Sequence, residues 1–579
     1  MGNVTGARDW GDWIRRDVAA VPPLGGYAAK RCPVRTQLDV LKPGDRAGVS
    51  EFLRSLGERG QAFEAEVFAH LAEELEIVPI DGPDAADRAE REAATVEAMA
   101  RGDEVITGGR LPTDEEGRRV GEPDMLVRVG AAQVDGRWRY APLDVKSHQI
   151  LRADSGADVV VQSIGELAVP GDGAGVSPDG RRDGTAKGDV LQLAHYHRML
   201  QACGHAVDGD VWGGIIGSEG QPVWYRLDEP LWTTPTSDPK VDTRRRSSLE
   251  VYDFEFGFRL DIAAVALEHA ADPTVPLLVD PMDCSECPEC PWRNHCWPQL
   301  DAAGDVSRLP GVTYQAWKAL RDAELGTIDD LTASTVESID GIADGRIAEL
   351  RLQARARSGD QVAYLRPGAT GDVPAADVEV DIDMENVSAG AYLWGATVTV
   401  RRDGLDGIEA GHRAFRTWSD PLDDAAITTC FGEFWSWLTD LRGACEAQGA
   451  SFVAFCWSQS AENRFLRQGG ELLGQSGAVE DFIASDQWVD LLAWFKSRFV
   501  TGHGNGLKTV AQALGFTWRD EDPGGAASMV WYQEAVGGEE PSIQPARDRL
   551  IAYNEDDVRA TLAVREAVRA GHWTTPPTP

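Results

Sequence analysis

Two carboxylates and a lysine at one end of a β-hairpin could hold a divalent cation and use it to cut a phosphodiester. In PLDVKSHQI, residues 142–150, Asp144 and Lys146 are two apart. In an extended strand they share one face, while Leu143 and Val145 take the other. GEPDMLVRV places Asp124 one hairpin upstream, so pairing of the two strands brings Asp124 and Asp144 together. Two carboxylates suit a hard cation. The cation polarises a phosphate and lowers the pKa of a bound water, and a neighbouring lysine orients that water or offsets developing charge. A lone D-x-K is more often a surface ion pair on an edge strand, so the rest of the chain has to decide.

A second group of acids lies in VDIDMEN, where Asp381, Asp383 and Glu385 share one strand face and Val380, Ile382 and Met384 the other. Three acids in line repel unless a cation or solvent separates them. An exposed strand face is the plain alternative. AYNEDDVRAT adds Tyr553 and Asp557 one helical turn apart, WSQSAENRFL adds Ser458 and Glu462, and WVDLL adds Asp490 as another carboxylate. Nine cysteines in a chain of this kind are not a disulfide framework. Cys203, Cys430, Cys445 and Cys456 are scattered, and Cys456 in SFVAFCW reads as a small hydrophobe in a buried strand. Cys32 and the cluster CSECPECPWRNHC (Cys284, Cys287, Cys290, Cys296) read as metal ligands, with zinc the default for a four-cysteine site.

The elements that must position these residues can be read from the pattern. RAGVSEFLRSLGERGQAFEAEVFAHLAEEL is a long amphipathic helical region, and strands are expected at 124–129, 138–146 and 210–215. A helix is expected at DVLQLAHYHRMLQAC and another from about 249 to 272. Residues 168–188, rich in Gly and Asp, read as a mobile loop. From about 305 to 360, LPGVTYQAWKALRDAELGTIDDLTASTVESI gives short helices with tight turns. These are similar to a helix-hairpin-helix module, whose turns offer backbone amides to phosphate; a small helical connector is the plain alternative. Beyond 375, strands and then mixed strand and helix suggest an α/β sheet. WTTPPTP reads as a frayed tail.

At 579 residues the chain is too long for one core. With 42% hydrophobic and 26% charged residues it is an ordinary globular composition. The net charge of -38 argues against broad non-specific nucleic-acid binding. Acids gathered at cation sites would add to that sum without opposing substrate. Local basic points exist at Arg181 and Arg182, at Arg244, Arg245 and Arg246, and in RLQARAR. No run of about 18 apolar residues and no charged-then-apolar leader is found, so a cytoplasmic protein without membrane contact is expected.

Taken in order along the chain, the first set of motifs resembles the PD-(D/E)xK nucleases, and within them the RecB-like branch. DVLQLAHYHRML supplies Gln192 and Tyr196 for that branch's Q-x-x-x-Y motif, and GQAFEAEVF supplies Glu64 for the acid on its first helix. Cys32 with Cys287, Cys290 and Cys296, the last three spaced C-x2-C-x5-C, resembles the iron-sulfur ligand set of the AddB-type and CRISPR-associated members. The resemblance implies a [4Fe-4S] cluster that closes a very long loop and staples the domain. Cys284 makes a second C-x-x-C and leaves the full ligand set open.

The second set resembles the DEDD exonuclease group of the RNase H-like fold. Asp383 and Glu385 match its D-x-E motif, and Tyr553 and Asp557 match its Y-x-x-x-D motif. The middle motif, N-x-x-x-D, would fall where this chain has Ser458 and Glu462, a departure that changes the reach of any ligand there. The two resemblances together imply an α/β multidomain protein. Residues 1–304 would be a PD-(D/E)xK restriction-endonuclease-like core with an iron-sulfur staple, 305–370 a helical connector, and 371–579 an RNase H-like DEDDy-type domain.

The implied activity is Mg2+- or Mn2+-dependent hydrolysis of DNA, single-stranded or at ends, in repair, recombination or defence. Metal would be held by Glu64, Asp124 and Asp144 in one site and by Asp383, Glu385 and Asp557 in the other. Lys146 would sit beside the water, Gln192 and Tyr196 would support substrate or strand, and Glu462 and Tyr553 would complete the second site. No G-x-x-x-x-G-K-[ST] loop is found, so ATP-driven unwinding would need a helicase partner. Two alternatives stay open: a nucleic-acid-binding adaptor with an inactive C-terminal domain, and an RNA 3′-end exonuclease working through that domain.

Overall fold

The structure, a computed structural model, describes residues 18–575 apart from 43, 45, 49, 50, 81–87, 131–135, 152–158, 172–186, 208, 236–242, 360, 521–524, 539 and 540. Most of the loop expected over 168–188, with Arg181 and Arg182, and the last four residues of the expected tail lie outside the described residues. The chain divides into two compact units, residues 1–281 with 285–294, and residues 282–284 with 295–579. Among the described residues, no helix is long and apolar enough to cross a membrane.

The first unit is built on seven strands: β1 (Ile77–Pro79), β2 (Val105–Thr107), β3 (Met125–Val129), β4 (Arg139–Val145), β5 (Val160–Val161), β6 (Trp212–Ile216) and β7 (Pro222–Arg226). Their order in the sheet is β1-β2-β3-β4-β6-β7-β5. β3 and β4 are antiparallel with Met125 opposite Leu143, and β4 pairs with β6 in parallel. β4 is buried along its whole length, so alternation sorts its side chains between two covered faces. Met125, Val127, Ala141 and Leu143 pack with Val67 and Leu71 of the helix Glu51–Glu74. Leu126 and Tyr140 pack instead with Tyr196, Met199 and Leu200 of the helix Lys187–Cys203.

A two-stranded ribbon, β8 (Pro230–Pro235) with β9 (Thr243–Ser247), carries the expected arginine run. Only part of that run is a surface charge. Arg244 and Arg245 are exposed, whereas Arg246 turns inward, where its Nε donates to Thr234 Oγ1 at 3.0 Å. Ser247 then caps the helix Ser248–Ala271 in a reciprocal capping box with Glu250.

In the second unit the short helices Tyr314–Asp322, Ile328–Ala333 and Arg346–Ser358 share a small core that includes Trp317, Leu320, Leu331, Ile347 and Leu350. Thr313 and Thr327 cap the first two of them. β10 (Ala363–Leu365) pairs with a late strand, β16 (Phe499–Thr501). The main sheet is β13 (Gly411–Arg416), β12 (Ala391–Val400), β11 (Val378–Asn386), β14 (Phe452–Cys456) and β15 (Trp488–Asp490), in that order. The first three are antiparallel, and β14 and β15 join in parallel.

β11 is the middle strand and is covered on both faces. Val378, Val380, Ile382 and Met384 pack with Phe431, Phe434 and Trp435 of the helix Asp424–Ala447. The other face carries Glu379, Asp381, Asp383 and Glu385, and there the C-terminal helix Gln544–Arg569 lies against it. This face is therefore not an exposed strand face. Two residues of strand advance about 6.7 Å and four of helix about 6 Å, so acids at every second strand position can meet a helical stripe at every fourth. Arg565 holds Asp381 through two hydrogen bonds, Nε to Oδ1 at 3.1 Å and Nη2 to Oδ2 at 2.6 Å, and both Arg565 and Arg569 bond Glu379. Burial alone would raise the Glu379 carboxyl, but the hydrogen bonds and charges of Arg569 and Arg565 pull it down to about 2.

A fully buried arginine between two buried acids is costly to remove, because the acids are left uncompensated. Arg565→Met is expected to destabilise the protein by about 3 kcal/mol or more, measured by denaturant unfolding. An unchanged midpoint would contradict this account of the strand–helix contact.

Candidate functional site

The same stripe changes character toward the other end of β11. There Asp383 and Glu385 meet Asp557 of the C-terminal helix, and one oxygen of each lies within 4.8 Å of the others. Asn554 donates through Nδ2 to Asp383 Oδ2 at 2.9 Å, and Trp518 donates through Nε1 to Asp557 Oδ1 at 2.6 Å. Gly395, opposite Asp383 in the β12 register, makes room for this contact, since a Cβ there would collide with the Asn554 side chain. Lys508, in the first turn of the helix Leu507–Gln512, donates to Tyr553 Oη at 2.8 Å.

Burial and mutual repulsion hold these acids toward the neutral form. Burial, then the charges of Asp557 and Glu385, push Asp383 well above the usual carboxylate range. Burial and Asp557 push Glu385 up to about 8, and Asp557 is raised mainly by burial. Three acids kept this close, with no salt-bridged cation on them among the described residues, could hold a hard divalent cation, whose charge would reverse those shifts. The donor set fits such an ion: three carboxylates, each offering one oxygen within 4.8 Å of the others.

The shifts give a pH dependence. Between about pH 4.5 and pH 8 the folded, metal-free site keeps a proton on Glu385 that the unfolded chain has released. Stability of the metal-free protein is therefore expected to fall as pH rises through that window. Mg2+ at pH 8 is expected to restore the melting temperature. A melting temperature that rises through the window would show the acids to be ionised and otherwise compensated.

Glu462 stands in the first turn of the helix Gln459–Leu472, and burial raises it to about 7. It is not part of the trio within 4.8 Å. Ser458 is the N-cap of the same helix and makes no side-chain cap. Asp490 is already engaged: its oxygens accept from the backbone N–H groups of Ala493 at 2.7 Å and Gln459 at 3.2 Å. It caps a helix rather than joining the acidic cluster.

Residues 460–569 match the profile of the RNase_H superfamily. No curated protein and no solved structure matches the chain. The C-terminal part is thus an RNase H-like domain, a type that points to a nuclease. The matched span holds Glu462, Lys508, Tyr553 and Asp557, while Asp383 and Glu385 precede it. The sheet and helix described above bring the two stretches together.

In the first unit, Asp144 is fully buried. Lys146 Nζ donates to its Oδ2 at 3.0 Å, and its Oδ1 has no hydrogen-bond partner among the described residues. Asp124 lies across the hairpin and accepts from the Val145 N–H at 2.7 Å. Burial, then the Asp144 charge, push Asp124 well above the usual range, and Glu64 is raised by burial and by Asp144. For Lys146, burial alone would favour the neutral amine, but Asp144 and Asp124 raise its pKa. Gln192 Nε2 donates to Tyr196 Oη at 2.8 Å, and Tyr196 donates on to the Glu122 carbonyl at 3.0 Å. Lys30, which the sequence did not single out, donates to Gln192 Oε1 at 3.1 Å and to Asp189 at 3.3 Å.

None of the nine cysteines forms a disulfide. Cys287 is buried, Cys32, Cys290 and Cys296 are half-buried, and Cys284 is exposed. Within the first unit the Cys32 N–H donates to Glu286 Oε2 at 2.7 Å, so the segments carrying Cys32 and Cys287 meet although 254 residues separate Cys32 from Glu286.

Proposed function

We propose that the protein is a divalent-metal-dependent nuclease that hydrolyses DNA, single-stranded or at its ends. The observation that carries this reading is the convergence of Asp383, Glu385 and Asp557 in a domain of the RNase H superfamily. These three carboxylates would hold the cation, which when bound polarises the phosphate and activates a water. Asn554 and Trp518 fix the orientation of Asp383 and Asp557. Tyr553, which accepts from Lys508, would orient the attacking water. End-labelled single-stranded DNA and RNA offered with Mg2+ or Mn2+ test the activity and its substrate together. Cleavage of RNA alone would favour a 3′-end ribonuclease, and binding without cleavage would favour an adaptor.

The first unit supports a second nuclease site of the PD-(D/E)xK kind. What supports it is a buried Asp144 Oδ1 without a hydrogen-bond partner among the described residues, beside an Asp124 pushed toward its neutral form, so that a cation there would find an acceptor to take. Asp124 and Asp144 would be ligands with Glu64 a further one, and Lys146 the residue at the water. The Lys30, Gln192 and Tyr196 chain of hydrogen bonds would hold that wall of the site rigid.

For the cysteines we propose a [4Fe-4S] cluster on Cys32, Cys287, Cys290 and Cys296, on the ground of their spacing. Anaerobically purified protein is expected to contain iron and acid-labile sulfide in equal amounts, lost in Cys287→Ala. Zinc in their place would establish the alternative.

A further inference from the structure

We propose that Lys508 is a catalytic residue of the C-terminal site, its ammonium binding a non-bridging oxygen of the scissile phosphate. This rests on the reading of that site as a working phosphodiesterase and adds to it a residue that neither acidic motif contains.

Where a cation only neutralises the acids of β11, it closes on them, as Arg565 does on Asp381 at 2.6 Å. Lys508 behaves otherwise. Its charge acts on Asp383, Glu385 and Asp557 alike, yet among the described residues it forms no ion pair within 4.0 Å with any of them. Its contact is with Tyr553, whose hydroxyl accepts one of its three N–H groups at 2.8 Å and whose ring centre lies 4.9 Å from Nζ. The other two N–H groups have no acceptor among the described residues. A half-buried ammonium with donors to spare, beside an acidic cluster whose members it influences without pairing with them, can take an anionic oxygen brought to that cluster.

Charge balance asks for such a group. Three carboxylates and one dication sum to minus one, and a phosphodiester adds another negative charge. In the reaction a water oxygen bonds to phosphorus as the bond from phosphorus to the leaving sugar oxygen breaks. The water's proton reaches that oxygen by way of solvent, leaving a phosphomonoester and a hydroxyl. Lys508 neither gives nor takes the proton. It offsets the charge that grows on the non-bridging oxygens.

The test uses full-length Lys146→Ala protein as parent, so that cleavage by the first unit does not contribute. Adding Lys508→Met is expected to lower kcat/KM on a labelled single-stranded oligonucleotide about 100-fold, with Lys508→Arg restoring part of it. Protein-bound Mn2+, followed by electron paramagnetic resonance, is expected to bind Lys508→Met as tightly as the parent or more tightly, since a neighbouring positive charge is gone. A Lys508→Met protein that cuts like its parent overturns the proposal. So does one that loses Mn2+ binding, which would make Lys508 a prop for the carboxylates. A parent that does not cut removes the reading of the C-terminal site and this inference together.

Discussion

Asp557→Asn is expected to lower cleavage by the C-terminal site about a thousandfold, because it removes one of three cation ligands and metal catalysis supplies several kcal/mol. The substitution is nearly isosteric. The amide oxygen can still accept from Trp518, so the helix stays where it is. Without metal, the variant should melt above the wild type, since one of three crowded acids has lost its charge. Mg2+ should no longer raise its melting temperature. Loss of activity with a lowered metal-free melting temperature would instead mean that Asp557 holds the fold together.

Lys146→Ala is expected to abolish whatever cleavage the first unit contributes, and to cost stability as well. Asp144 is fully buried and Lys146 is its charged partner at 3.0 Å. Truncating the lysine leaves a buried carboxylate uncompensated, a loss of about 3 kcal/mol or more unless the acid takes up a proton. Asp144→Asn in the same protein should recover the stability and not the activity. Recovered stability would show that the loss came from the uncompensated Asp144 carboxylate, while the missing activity follows from the lost cation ligand as well as from the lost lysine. Recovery of cleavage in the double variant would contradict the assignment of Lys146 to the reaction.

The acids on β11 were legible because strand alternation sorts VEVDIDMEN into an apolar and an acidic face without any tertiary information. Their partners were not. Arg565 lies 184 residues from Asp381 and Asn554 171 residues from Asp383, and no periodicity links them. Asn554 sits beside Tyr553 in YNEDD, so a closer reading of that helix could have found it. Lys508 in GNGLKTV carries no signal of its own. The order of the sheet was also hidden: β14 reaches the side of β11 only after the 24-residue helix Asp424–Ala447 has crossed over. Asp490 looked like a ligand because a helix-capping aspartate and a metal-binding one present the same sequence. Arg246 looked like a surface charge because an arginine run does not reveal which member a strand turns inward.

The measurement that bears most directly on the central claim is cleavage of end-labelled single-stranded DNA by anaerobically purified full-length protein with Mg2+ or Mn2+. Wild type, Lys146→Ala, Asp557→Asn and the double variant would be compared. The account predicts metal-dependent cutting by the wild type, a reduced rate in Lys146→Ala and in Asp557→Asn, and none in the double variant. Cutting that persists in the double variant, or a folded wild type that cuts under neither metal, would contradict it.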